Sequence, residues 1–472
     1  MKIVVLGHHR RGALLLGAAI GMGMSVMGAS GSAQAMSLKD AIELVLTTNP
    51  DVGVVAKDRR AVDQELRQAW GLYFPQIDAK LDAGPEFTES GSVDHPPTYL
   101  DQGAHDGGRW LVREDAQITL QQRIFDGFEA ASEVQRQKAR VNSAAERVQD
   151  QAEVSALDAS EQYINVLRDQ DRLKNAQENI KKHEDTLALV QKRAELGGGN
   201  VADVSQAQAR LETARSTYTD IQGQLRETQT KFLQTVGVPA TDLQDISDAD
   251  LSRMAENVDL SVQKGLENNP KVRLAKHDVE RADAEVREQT ASLYPTLNFE
   301  AVGSVNRYNS GLEEVDHNAQ FLLVMRYNLY RGGADIARIK EFKERRSEAL
   351  EQLRSREREV EQNVRSSWAA KQTQEERIDV LQRQITADQQ TYSGYVQQFD
   401  IGQRGLLDVL DAANELFIAQ DQLISANSED LFSKFRILAA QGQLVESAGL
   451  TYPVEGTVGP ISEENMDQKK TN

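Results

Sequence analysis

GFEAASEVQRQKARVNSAAERVQDQAEVSALDASEQYINVLRDQDRLKNAQENIKKHEDTLALVQKRAEL, residues 127–196, runs from Gly127 to the Gly197 that follows it with no proline inside. Ala131, Ala145, Ala152, Ala159, Val166, Leu173, Ile180, Leu187 and Ala194 recur at a seven-residue step, broken only at Lys138. A heptad sustained this far specifies supercoiled helix packing, and the alanines let a neighbouring helix approach closely. At about 1.5 Å per residue the helix, expected over 127–196, is ~105 Å long. No compact domain holds such a helix.

The same unit occurs again. Asn49-Pro50 returns as Asn269-Pro270 and Tyr73–Pro75 as Tyr294-Pro295, at an offset of 220. Ile124–Gly127 returns as Leu329–Gly332, and Leu196-Gly197 with Asp203-Val204 as Ile401-Gly402 with Asp408-Val409, at an offset of 205. The drop of 15 places an insertion in the first copy between Pro75 and Gly127. A second long helix follows over 332–401, with Ile336, Leu350, Val364, Ile378, Ile385, Tyr392 and Phe399 in phase, broken at Lys343, Glu357 and Lys371. The chain divides into a leader (1–35), a first repeat (36–258), a second repeat (259–450) and a polar tail (451–472) expected to be disordered.

Each repeat reads as helix, strand, strand, long helix and returning helix. The first return is split into about 203–236 and 259–292, around an irregular stretch holding Gly237 and Pro239. Set end to end, these pieces match the first long helix in length. The second return, about 407–441, is completed by the N-terminal helix, about 37–72, and the duplication closes as a ring would.

Four strands are expected, at 74–87, 113–125, 295–306 and 320–330. Ile77, Ala79, Leu81 and Ala83 alternate with Gln76, Asp78, Lys80 and Asp82. Ala116, Ile118, Leu120 and Ile124 alternate with Gln117, Thr119, Gln121 and Arg123, and Leu297, Phe299, Ala301 and Val305 with Asn298, Glu300, Ser304 and Asn306. In the fourth, Phe321 to Met325 is apolar throughout. Tyr73, Phe74, Phe87, Phe125, Tyr294, Tyr327 and Tyr330 cluster at strand ends, where an outer-membrane barrel carries its aromatic girdles. Alternation alone fits a soluble antiparallel sheet with one wet face equally well.

Composition and the N-terminus separate these readings. Lys2, Arg10 and Arg11, the apolar run Ala13–Met24 and Ala33-Gln34-Ala35 form a secretory leader with its cleavage site; a short membrane anchor is the alternative. The chain has 472 residues, a formal charge of −19 that becomes −22 without the leader, and no cysteine. Missing thiols exclude disulfide scaffolds, thiolate metal sites and lipidation of an N-terminal Cys. The acidic balance excludes nucleic acid as partner. Beyond the leader no apolar span of ~20 residues is present, so any membrane passage falls to the strands. Four strands cannot close a barrel, whose bacterial minimum is about eight. Three copies give a twelve-stranded β-barrel and a twelve-helix α-barrel. Segments 88–112 and 306–319 then become outer loops. His95 and His105 lie there beside Asp94 and Asp106, read as solvated loop residues rather than a metal site.

This combination, with the run Gly402-Gln403-Arg404-Gly405-Leu406-Leu407-Asp408-Val409-Leu410-Asp411-Ala412, resembles the TolC-type outer-membrane channel-tunnels over about 37–450. The resemblance implies a homotrimer, a β-barrel in outer-membrane lipid and a helical tunnel into the periplasm. It also implies a periplasmic adaptor and an inner-membrane transporter of ABC or RND type. Gly197 and Gly402 mark two tip turns. Asp408 and Asp411, three apart on a helix start, share a face and would ring a narrow axis with carboxylates. By the resemblance, Arg404 pairs with Asp203 to hold the tip closed; the alternative role of Asp203 and Asp408 is to complement a helix N-terminus. Phe399 stands where many members carry Tyr, so it offers the lock no hydroxyl.

No HExxH, GxSxG or Walker lysine is present, and Gly197–Gly199 reads as a turn, so an enzyme is not expected, nor a cofactor. Ser355–Glu359 reads as a solvated helix face. An export duct is the expected function, for type I protein secretion first and small-molecule efflux second. The competing class is a periplasmic coiled-coil scaffold without a barrel.

Overall fold

The computed structural model describes residues 35–89, 109–246, 251, 253–309 and 314–460. The leader up to Gln34, the loop segment 90–108 with His95 and His105, residues 310–313, and the tail from 461 lie outside the described residues. In chain order the elements are α1 (Leu38–Thr48), α2 (Pro50–Gly71), β1 (Gln76–Thr88), β2 (Arg109–Phe125), α3 (Glu129–Glu195), α4 (Val201–Val236), α5 (Val258–Asn268), α6 (Pro270–Thr290), β3 (Thr296–Arg307), β4 (Val315–Arg326), α7 (Ala334–Asp400), α8 (Leu406–Ala440) and α9 (Leu444–Ser447).

The helices expected as single pieces over 37–72 and 259–292 are each broken at an Asn-Pro. Asn49 and Asn269 take extended backbone, and their side chains accept from the amides of Asp51 at 2.8 Å and Lys271 at 2.9 Å. Proline bars the residue before it from helical backbone and has no N–H to extend a preceding helix. It fits the first turn of a new one, so the helix restarts under an Asn cap.

The sheet is antiparallel in the order β1-β2-β3-β4. Residues in direct register share a face, so Ile77, Leu120, Ala301 and Phe321 form one row across four strands. Leu81, Ala116 and Val305 form another on the same face. Ile77, Leu81 and Phe321 are 67, 80 and 75% exposed, an apolar face left uncovered among the described residues. The opposite face carries Asp78, Thr119, Val302 and Gln320 in one row. The apolar stretch 321–325 is thereby resolved: Phe321, Leu323 and Met325 lie on the apolar face, while Leu322 and Val324 pair with Glu300 and Asn298 on the other. Two strands differ from expectation at their limits. β2 begins at Arg109, four residues early, and β4 spans 315–326 rather than 320–330, because the hairpin closes by pairing Arg307 with Val315.

Strand order sets helix order. α2 leads into β1, β2 into α3, α6 into β3 and β4 into α7, so these helices lie side by side as α2, α3, α6, α7. Polar pairs stitch the seams. Arg147 meets Asp58 at 3.2 Å, Arg273 meets Glu146 at 2.9 Å, and Lys271 meets Glu359 at 3.8 Å. Toward the other end the order becomes α4, α3, α8, α7. This corrects the expected assignment of the return halves. α8 is continued by α6: the Asn269 amide donates to the Ala440 carbonyl at 2.9 Å, and Gly442 packs on Asn268 and Pro270. α4 is continued by α1 and α2, tied by a bridge between Met36 and Leu243. Matching lengths cannot tell two halves of equal size apart; the strand order can.

α3 lies inside this layer and α7 at its edge. Ala145, Ala152, Ala159, Val166 and Leu187 of the α3 heptad are buried, whereas in α7 only Val364 and Phe399 of the corresponding series are. The expectation of disorder over 451–472 is corrected for 451–460, the part of it among the described residues. Residues 451–460 pack on α2 and α3: the Gln149 amide donates to Gly456 O at 2.6 Å, Arg60 pairs with Glu455, and Arg59 donates to Gly459 O at 2.6 Å.

Candidate functional site at the helix tips

Two turns reverse the chain at the end opposite the sheet. Gly197 has φ +78° and Gly402 +79°, conformations glycine adopts without strain. Each amide closes the preceding helix, Gly197 to Ala194 O at 3.0 Å and Gly402 to Phe399 O at 2.9 Å. Asn200 then caps α4 through the Ala202 amide at 3.1 Å. Beneath the turns Leu187, Val190, Ala207, Leu211, Phe399, Leu406, Val409 and Leu410 form one apolar cluster.

Arg404 does not reach Asp203 within the chain. Its guanidinium lies over the Tyr395 ring at 4.0 Å, donates to Gln398 at 3.2 Å and meets Asp408 at 3.4 Å. Asp203 sits in the first turn of α4, its backbone amide bonded to Asn200 O at 3.0 Å. Asp408 is engaged by Arg404, and Asp411 by Arg210 of α4 at 3.2 Å. The expected ring carboxylates therefore each hold a cation of their own chain. Tyr395, one turn before Phe399, supplies the aromatic face at this tip.

Sequence reasoning passed over Arg193. It donates to Gly198 O at 3.1 Å in the first turn and to Phe399 O at 3.0 Å before the second, and stacks on the Phe399 ring at 5.0 Å. It is the residue that ties the two turns together. The offset of 205 carried the signal, since position 193 corresponds to Gln398, which holds Arg404.

Among the described residues no cluster of three or more His, Asp or Glu is placed to hold a metal ion, and no helix is long and apolar enough to cross a membrane. The sequence model described as "Outer membrane efflux protein" matches residues 41–238 and 261–443, one segment in each repeat. The chain belongs to the outer membrane efflux protein family. As a member it is an outer-membrane channel protein that reaches into the periplasm. It is 24% identical over 328 residues to outer membrane efflux protein BepC of Brucella suis, covering 69% of this chain and 72% of that one. To outer membrane protein TolC of Escherichia coli it is 24% identical over 439 residues, covering 90% of this chain and 86% of that one. The CmeC outer membrane channel of Campylobacter jejuni superposes with a TM-score of 0.72 at 12% identity, over 92% of this chain and 88% of that one, which places both in one fold.

Proposed function

We propose that three copies of this chain assemble into an exit duct through which an inner-membrane transporter and a periplasmic adaptor export cargo across the outer membrane. The observation that carries this is the pair of open edges. β1 and β4 each have a single strand neighbour among the described residues, and at the same edges the helix layer ends in α2 with α4 and in α7. One edge of a copy fits the opposite edge of the next, and twelve strands make a barrel of workable size. The exposed apolar rows then meet lipid and the polar rows line the lumen.

At the tips the closed state is held by weak links repeated in each copy. An exposed ion pair contributes about 0–1 kcal/mol, so a docking partner can break several. In this reading Arg404 is poised between Asp408 of its own chain and Asp203 of a neighbouring copy, and Asp408 and Asp411 form the constriction when their cations withdraw. Arg404→Ser with Asp203→Ala should raise single-channel conductance, and an unchanged value would sink the gate assignment. Asp408→Asn with Asp411→Asn should lower cation selectivity, read as a shift in reversal potential.

Cargo is chosen by the inner-membrane partner. Type I protein secretion, with an ABC transporter, is the first reading. Efflux of small molecules, with an RND transporter, is the second, favoured by a relative named for efflux. Cross-linking at the tips in cells, followed by identification of the captured transporter, decides between them; capture of neither class defeats the duct reading.

A further inference from the structure

Just above the tips, α3 carries a histidine that nothing in the duct reading uses. His183 is 5% exposed, and its Nδ1 has no hydrogen-bond partner. One turn back, Asn179 Oδ1 is likewise buried and unpaired, and a further turn back Asn175 donates to Phe417 O of α8 at 3.3 Å. This face of α3 is therefore the one turned toward α8. From the other side α4 brings Arg210, whose guanidinium crosses to Asp411 of α8. That ion pair ties α4 to α8, and counting tipward from the Asn175–Phe417 contact along the antiparallel α3 and α8 brings His183 to about the level of Asp411.

We propose that His183 is a proton sensor for the tip, whose protonation loosens the Arg210–Asp411 tie and lets α4 and α8 separate. The charges around it favour this. Arg210 of α4 and Lys182 beside it on α3 are the charges that act on the imidazole, and both are positive. On α8, Asp411 is engaged by Arg210; on α3, Glu184 is engaged by Arg215 at 3.1 Å. α7 contributes Tyr392, at Thr186, which bears no charge in this range. Burial and these two cations hold the imidazole below its ordinary range in the closed tip. A group whose pKa is depressed in one state stabilises that state above its ordinary pKa and destabilises it as pH falls below. Acid therefore favours the separated state, in which water solvates the imidazolium. Each unit of depression makes opening about tenfold more favourable at low pH. The withdrawal of Arg210 also frees the Asp411 carboxylate.

The inference rests on the tip being a gate, and the test keeps the two apart. The chain has no cysteine, so Gln208→Cys on α4 and Glu415→Cys on α8 accept spin labels specifically. Label separation and single-channel conductance are measured on the reconstituted full-length protein between about pH 7.5 and about pH 5, the range in which histidine titrates. Expected is a separation that widens, and a conductance that rises several-fold, on acidification. Both should be flat in His183→Gln and in His183→Asn. If separation widens only with His183 present but conductance stays constant, the sensor stands and the gate reading falls. If the labels separate equally in the variants, or fail to separate with His183 present, the proposal is overturned.

Discussion

Arg193 illustrates how much one side chain can carry at a turn. A turn of glycines has no side chains with which to bind its neighbour, so its position must be fixed from outside. The guanidinium does so with two carbonyls and a ring, and its planar fork reaches both turns at once. Hydrogen bonds from a charged donor contribute about 1.5–3 kcal/mol each, and leaving the two carbonyls without a donor adds to the loss. Arg193→Ala should therefore speed amide hydrogen exchange across 194–205 by at least tenfold, with the sheet unaffected. Lysine at 193 should rescue little, because a point charge cannot span both acceptors. Arg193 was legible only through the duplication, as the counterpart, 205 residues earlier, of Gln398. The partners of Arg404 were not legible: residues on a helix's own next turn and residues on another tip are both within reach of so long a side chain.

Among the elements, the C-terminal strap around α9 has the sharpest chemistry. The carboxylate of Glu153, on α3, receives the amides of Leu444 at 3.0 Å and Val445 at 3.1 Å and the Tyr452 hydroxyl at 2.5 Å. Burial pushes its pKa up to about 7, against these three donors, which lower it. A raised pKa means that the docked strap binds a proton more tightly than the free one. Docking is then strongest below the ordinary carboxylate range and weakens as pH rises through about 7. Thermal unfolding should accordingly move to lower temperature between about pH 5 and about pH 8, and Glu153→Gln should flatten that dependence. A slope that survives the substitution would place the titration elsewhere. In sequence the strap looked like the start of a polar tail, because Tyr452 and Gly456 announce nothing until α3 supplies their partners. The Asn-Pro breaks, by contrast, were visible as a repeat, and their meaning as restarts follows from proline chemistry alone.

For the whole molecule, the alternation in four short strands and the heptads in two long helices were readable, since both are local periodicities. The pairing of half-helices was not, because it depends on which strand lies beside which, a relation between residues 76 and 326 that no local pattern encodes. The same strand order leaves β1 and β4 with one strand neighbour each among the described residues, so a single copy should be an incomplete species. Detergent extracts of the outer-membrane fraction should contain a trimer that resists mild denaturant and dissociates on heating. Recovery of a monomer without detergent would favour the scaffold class.

α3 and α7 run without a break for 67 residues each, while the columns beside them are jointed, one where α4 ends at Gly237 and α1 takes over, the other at 441–443. Mechanically this is a pair of stiff rods alternating with a pair of hinged ones. About 35 residues of α8 below its joint span ~53 Å. A tilt of about 5° at that joint, well inside the scatter of helix packing angles, moves the far end by ~4–5 Å. A rearrangement smaller than a water molecule at the joint, beside Gly442, thus becomes a displacement at the turns wider than one. If the tips open as proposed, leverage of this kind lets the joints stay packed while the turns move apart, so stiffness in one pair of helices and compliance in the other divide the labour.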